Sequence, residues 1–191
     1  MMGRTHDLAA FTALSYVVAT QPPQLITLAT GITSLLACFV GGLTPDIDQP
    51  TAALWRRLPA GSIIGRVFHP FLGGHRYISH SLVGILFFSW FSRFLLLRVG
   101  QVLLVDVNFV WSAFMIGYVS HLIMDTFTHE GVPWLFPIPF RFGFPPFKFL
   151  RIKAGGTFEK TVVFPGLLFI NAYIYYSHYS KFLDLLKNYL K

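Results

Sequence analysis

Charge is scarce in this sequence. Asp, Glu, Lys and Arg make up 12% of its 191 residues, about half the share usual in soluble globular domains. A water-facing surface needs more charge than that. Cysteine is nearly absent too. The single Cys38 lies in an apolar run and excludes an intrachain disulfide. Internal repeats and low-complexity tracts are missing, and 54% of the chain is hydrophobic, which rules out disorder and a collagen-like fibre. Early positive charge is limited to Arg4, with no small-residue cleavage site after it, so no cleaved signal peptide is expected. A basic helix interleaved with aromatics is also lacking, and no nucleic-acid partner is expected.

Long apolar runs are what the chain has instead. Mean hydropathy is +0.58 and aromatics reach 17%. A membrane-spanning helix needs about 20 mainly apolar residues. Leu25 to Thr44 and Thr161 to Ser180 are runs of 20, the second holding only His178, and Val107 to Met124 is a run of 18 broken only by His121. Tyr77 to Ser92 carries only His80 and continues past Arg93 to Leu97. A fifth run, Leu8 to Thr20, has 13 residues, short for a span and equally readable as a re-entrant or interfacial piece. Pro45 to Arg76 and Phe127 to Lys160 read as extramembrane. The expected fold is an all-α integral membrane helical bundle of four or five spans, one domain over residues 1–191.

Net charge is +7, from fifteen Lys and Arg against eight acids. If all five runs cross, one side holds the N-terminus and both long loops, with 10 basic residues, and the other holds 5. The positive-inside rule puts the first side in the cytoplasm. The ionisable groups collect there as well. His6 opens the first run, Asp46 and Asp48 follow the second, and His75 and His80 bracket the start of the third. His121 and Asp125 close the fourth, and Glu159 precedes the fifth. Such groups at spans are costly and are functional candidates by default.

His121 and Asp125 are four apart on a helix, so they share a face and can present a nitrogen and an oxygen to one metal, each about 2.0–2.2 Å from a zinc. Asp46 and Asp48 repel if they close on each other without a cation. Ser79 is placed to cap the third helix, with His80 in its first turn. Imidazole with carboxylate suits Zn, Mn, Fe or Co better than Ca or Mg. Seven donors exceed one tetrahedral site and suit two ions about 3.5–4 Å apart. The bland alternatives are a solvated loop start for Asp46 and Asp48, and histidines that merely snorkel or bond backbone carbonyls.

His178 reads as interfacial and His69 has no paired spacing. His129 and Glu130 stand beside the cluster on a turn. The Phe-rich stretch Phe136 to Phe149, mixed with Arg141, Lys148 and Arg151, reads as an interfacial loop with aromatic anchors. The alternative is a lid that meets anionic lipid headgroups.

At these residues the chain resembles the YdjM-like family of inner-membrane proteins, described as LexA-regulated (an SOS-response link), membrane-bound, predicted metal-dependent hydrolases. The matching segments are His6, Leu43 to Pro50, Gly74 to Ser81, Gly117 to Asp125, then Thr128, Gly131 to Pro133, Pro137 and Glu159. The PDxD, HRxxxHS and HxxxD signals are specific together and cover residues 2–165. The family is distantly similar to the zinc-dependent phospholipase C and nuclease P1 group of all-α phosphoesterases. That resemblance implies His6, Asp46, His80, His121 and Asp125 as metal ligands, and Asp48 and His75 as ligands or their supports. Arg76 would hold a phosphate. A second helical HxxxE motif is missing, so two ions are expected rather than three.

The resulting expectation is a multi-pass inner-membrane hydrolase, its polar site facing the cytoplasm, that uses metal-activated water. Its substrate would be a membrane-associated ester or phosphoester, a lipid or another anionic molecule. Zinc is the first choice of metal, with manganese or iron as alternatives. Asp48 or Glu159 would act as general base if not coordinating, and Arg76 would neutralise the substrate. A non-catalytic membrane protein with a structural polar cluster is the rival. A transporter is disfavoured, because the donors gather at one face and not at mid-span.

Overall fold

The computed structural model describes residues 1–23, 26–52, 55, 61, 63, 65, 66 and 76–189. Among them the fold is helical. Helix α1 is Gly3–Thr20, α2 is Leu28–Leu43, α3 is Leu82–Leu103 and α4 is Val107–Thr126. A π-helical segment, Glu159–Val163, runs into α5, Phe164–Ser177, and α6, Tyr179–Tyr189, follows. Two isolated bridges, Thr128 with Ile152 and Val132 with Phe142, are the β-pairing present.

Among the described residues, three segments are long and apolar enough to cross a membrane: Leu28–Asp48, Leu82–Gly100 and Val107–Thr126. The two remaining sequence runs differ from these for visible reasons. α1 has 18 residues, or about 27 Å at 1.5 Å each, slightly short of a bilayer core. The Thr161 to Ser180 run is divided by the π segment at its start and by the end of α5 at Ser177. α3 starts later than its apolar run, because the three residues Ile78–His80 form a 3-10 turn instead. The cap of α3 is therefore Ser81, whose Oγ accepts from Gly84 N at 3.2 Å, and not Ser79.

The helices alternate in direction. Arg93 approaches Asn108, and the Trp111 indole donates to Ser89 O at 3.0 Å, so α3 and α4 are antiparallel. They are joined by Leu104, left-handed at φ 52°, Val105 and Asp106. Asp106 caps α4 by accepting from Asn108 N and Phe109 N, and its own N–H donates to Thr30 at the start of α2. α2 and α4 thus run in the same direction. α1 runs against both. α5 runs with α1, tied to it where Asn171 donates to Thr12 Oγ1 at 2.5 Å and where Tyr175 meets Ser15. The starts of α1, α3 and α5 share one end of the bundle with the ends of α2 and α4.

Lipid tails are as apolar as leucine, so membrane helices associate through close packing at small residues. Gly41 and Gly117 provide it. A Cβ on Gly41 would lie 2.0 Å from Phe114 O, and one on Gly117 would lie 1.9 Å from Cys38 O. Around this crossing are two buried clusters, Ala10, Leu14, Cys38 and Ala113, and nearer the site Phe88, Phe114, Tyr118, Leu122 and Val132. Leu86, Trp90, Leu97 and Val102 of α3 face outward, as a lipid-facing helix requires.

Gly117→Val should force α2 and α4 apart and cost about 1–3 kcal/mol, read as a lower thermal midpoint in detergent. Gly166→Ala, with nothing within 4 Å of the added carbon, should leave the midpoint unchanged or raise it.

Candidate metal centre

The glycine crossing has a direct effect one turn along α4. It brings the Gly42 carbonyl within 2.7 Å of His121 Nδ1. A carbonyl can only accept, so Nδ1 carries the proton and Nε2 presents a lone pair. Nε2 of His121 is buried and has no hydrogen-bond partner. It lies 3.6 Å from Asp46 Oδ1 and 3.7 Å from Asp125 Oδ2.

His80 is fixed the same way from another element. The Ser79 hydroxyl donates to Asp48 Oδ2 at 2.6 Å, so its oxygen accepts from His80 Nδ1 at 3.0 Å. The Nε2 of His80 faces Asp46 Oδ1 at 3.7 Å and Asp125 Oδ2 at 3.8 Å. Burial, the largest influence, holds the His80 pKa below its usual value despite the bond towards Asp48, which keeps the ring neutral. Ser79 is itself held, because the buried Tyr118 hydroxyl donates to its carbonyl.

Two imidazole nitrogens and two carboxylate oxygens therefore meet, with four of their mutual distances between 3.6 and 3.8 Å. Donors around a tetrahedral zinc, about 2.0–2.2 Å from it, stand about 3.3–3.6 Å apart. The Nδ1 contacts to Gly42 O and to the Ser79 hydroxyl turn both Nε2 atoms towards this space, where Asp125 Oδ2 also meets the Arg76 guanidinium. His6 extends the donor set. Its ring stacks on His121 at 3.7 Å, and its Nε2 lies 3.3 Å from the second oxygen of Asp125. His6, His121 and Asp125 form one group able to hold an ion, and Asp46, His80 and His121 form another. On these contacts the donor set could hold a metal ion.

The other expected residues stand around this core. Asp46 and Asp48 do not face each other. They flank His80, Asp46 on its Nε2 side and Asp48 on its Nδ1 side. Asp48 is fully buried and also accepts from Arg76 N at 2.8 Å. Arg76 is buried, with a left-handed φ of 61°. Its guanidinium pairs with Asp125 Oδ2 at 2.5 Å, approaches Glu130 at 3.4 Å and donates to Thr128 and Gly131 O. The Met1 nitrogen lies 2.6 Å from the other Asp125 oxygen. Glu159 is buried, each oxygen accepting one backbone N–H, from Met2 and from Gly155, both at 2.7 Å. His75 and His69 lie outside the described residues. His178 ends α5 away from the cluster. Ser79, Tyr118 and the Gly42 carbonyl, all of which orient the ligands, carry no spacing signal that sequence reasoning could have used.

Over residues 1–182 the chain matches the family described as YdjM inner membrane protein. The chain belongs to the YdjM family. Among its relatives is YvsG of Bacillus subtilis (strain 168), 31% identical over 180 residues, 92% of this chain and 95% of that protein. The inner membrane protein YdjM of Escherichia coli (strain K12) is 34% identical over 113 residues, 59% of this chain and 51% of its own length. The Shigella flexneri protein of the same name gives the same figures. No solved structure matches this chain. YdjM-family membership and three apolar spans make it an integral inner-membrane protein.

Glu159→Gln replaces one acceptor with an NH2 that faces a backbone N–H. It should cost about 1–3 kcal/mol, read by thermal unfolding at pH 7. Although burial raises the Glu159 pKa, its hydrogen bonds outweigh that and lower it overall. Its contribution is therefore complete above the ordinary value of 4.5 and is lost as pH falls through the lowered value. The gap between wild type and variant should narrow on acidification below 4.5.

Proposed function

We propose that this YdjM-family protein is a membrane-embedded, metal-dependent hydrolase acting on a membrane-associated ester or phosphoester. The observation that supports it most is the meeting of His80 Nε2, His121 Nε2, Asp46 Oδ1 and Asp125 Oδ2 at ligand spacing. Four or five spans are proposed, α1 and α5 joining the three clear ones. The excess of basic residues on the cluster's side argues for a cytoplasmic orientation.

A bound divalent ion, zinc first, would supply a water molecule acidified towards about pH 7. The chain's own groups then have distinct tasks. Asp46, His80, His121 and Asp125 would hold the first ion, and His6 with Asp125 would hold an adjoining one. Gly42 O and the Ser79–Asp48 pair fix which nitrogen each histidine offers, the usual role of partners behind metal ligands. Asp46, at 27% side-chain exposure the most open of these ligands, marks where solvent and substrate reach the centre. Glu159 and Asp48 already accept two or more donors each, which favours positioning over proton transfer for both. Arg76 counters negative charge next to Asp125.

The Arg76–Asp125 contact at 2.5 Å favours a second reading, a non-catalytic protein whose polar cluster only fixes helix packing. Metal analysis of purified protein separates the two. On the hydrolase reading, wild type carries a transition metal, and His121→Ala and Asp125→Ala lose it. Turnover of a phospholipid and phosphodiester panel stops with chelation and returns with metal. On the structural reading, the same variants lower the unfolding midpoint, and added metal or chelator changes nothing. Ser79→Ala should keep the fold and weaken metal affinity about 10–100-fold, measured by chelator competition.

A further inference from the structure

The segment between α4 and the π-helical start of α5 is a folded lobe, and its surface has an unusual composition. Val132 and Phe142 exchange both backbone hydrogen bonds, at 2.8 and 2.9 Å. Arg151 turns inward, its Nε donating to Pro145 O and its Nη2 to Pro146 O. With the backbone satisfied internally, the large side chains go outward. Phe140, Phe144, Phe147 and Phe149 are 57–79% exposed, joined by Ile138 and Leu150. From Gly131 to Phe158 the chain has no carboxylate, and its cations are Arg141, Lys148, Arg151 and Lys153.

The lobe's position is fixed by what it hangs from. Phe144 N donates to Thr126 O and Ile152 N to Phe127 O, at the end of α4. Leu82 N, at the start of α3, donates to Trp134 O. Arg141 sits over the Tyr77 ring at 5.7 Å. The lobe is thus held at the level where two spans leave the membrane, on the side of the His–Asp cluster. Exposed Leu82, Val83, Leu86, Phe158 and Val162 continue its apolar surface down the neighbouring helices.

We propose that residues 134–150 form a wedge seated in the lipid leaflet on the cluster's side, with Phe140, Phe144, Phe147 and Phe149 in the acyl layer and Arg141 and Lys148 against anionic headgroups. Seating phenylalanine rings in the acyl layer removes apolar area from water, and basic residues beside the headgroups are attracted to negatively charged lipid. The occupant is lipid because apolar residues of the flanking helices are exposed as well and the stretch from Gly131 to Phe158 carries cations and no carboxylate. The inference does not depend on the cluster binding an ion.

The test uses full-length protein in vesicles of phosphatidylcholine with phosphatidylglycerol. Cys38 is the sole cysteine and is buried, so a Cys38→Ala background accepts single labels at Phe147→Cys, Phe149→Cys and, as a water-facing control, Glu130→Cys. Nitroxides at the two Phe sites should show high accessibility to oxygen and low accessibility to a water-soluble nickel chelate, with the reverse at Glu130. A fluorophore at Phe149→Cys should be quenched more by nitroxide-labelled phosphatidylglycerol than by labelled phosphatidylcholine. Arg141→Gln with Lys148→Gln should abolish that difference while quenching by both persists. Chelate accessibility at Phe147 and Phe149 equal to that at Glu130 would overturn the wedge. Protection from chelate, oxygen and lipid quencher alike would overturn it in favour of a protein partner or a second copy. Two independent label sites keep the test decisive if one variant misfolds.

Discussion

The contact on which the rest depends is the backbone-to-backbone approach of α2 and α4 at Gly41 and Gly117. Helices separated by ordinary side chains stand about 8–10 Å apart. These two come closer, and only closeness puts the Gly42 carbonyl within reach of a histidine ring on the neighbouring helix. One glycine pair therefore governs both the packing of the bundle and the proton position on His121. Asp125, one turn further on, inherits its placement from the same crossing.

Around that fixed ring the chain assembles side chains from three other elements and from α4 itself. His80 comes from one 3-10 turn, Asp46 from another, Thr44–Asp48, that follows α2, His6 from α1 and Asp125 from the next turn of α4. Such a convergence in a low-dielectric setting is unfavourable unless positive charge enters it. The Arg76 guanidinium and the Met1 nitrogen already crowd Asp125, which identifies that carboxylate as the strongest attractor of cations in the cluster. Asp48 is different in kind. Its bonds to Ser79 Oγ and Arg76 N make it a brace for the 3-10 turn that carries His80.

Much of this is legible in the sequence. Low charge and long apolar runs indicate a membrane bundle, and polar residues at the run ends indicate a cluster at one face. The i, i+4 spacing of His121 and Asp125 survives directly as a shared helix face. What spacing cannot convey is side-chain direction where the backbone is not α-helical. Asp46 and Asp48 sit on a 3-10 turn and diverge around His80. Ser79 matches a capping position, yet Ser81 caps the helix, because the turn before α3 occupies Ile78–His80. The Phe-rich loop reads as irregular, and its internal pairing comes from contacts ten or more residues apart, such as Val132 with Phe142.

The link from α3 to α4, Leu104 to Asp106, leaves almost no slack between two antiparallel spans. Closing so short a loop costs little entropy, and neither helix can settle in a bilayer while the other stays far behind. Ser79 and Tyr118 stand at the opposite, open end of this hairpin, where the Tyr118 hydroxyl bond to the Ser79 carbonyl ties the pair together in place of a loop.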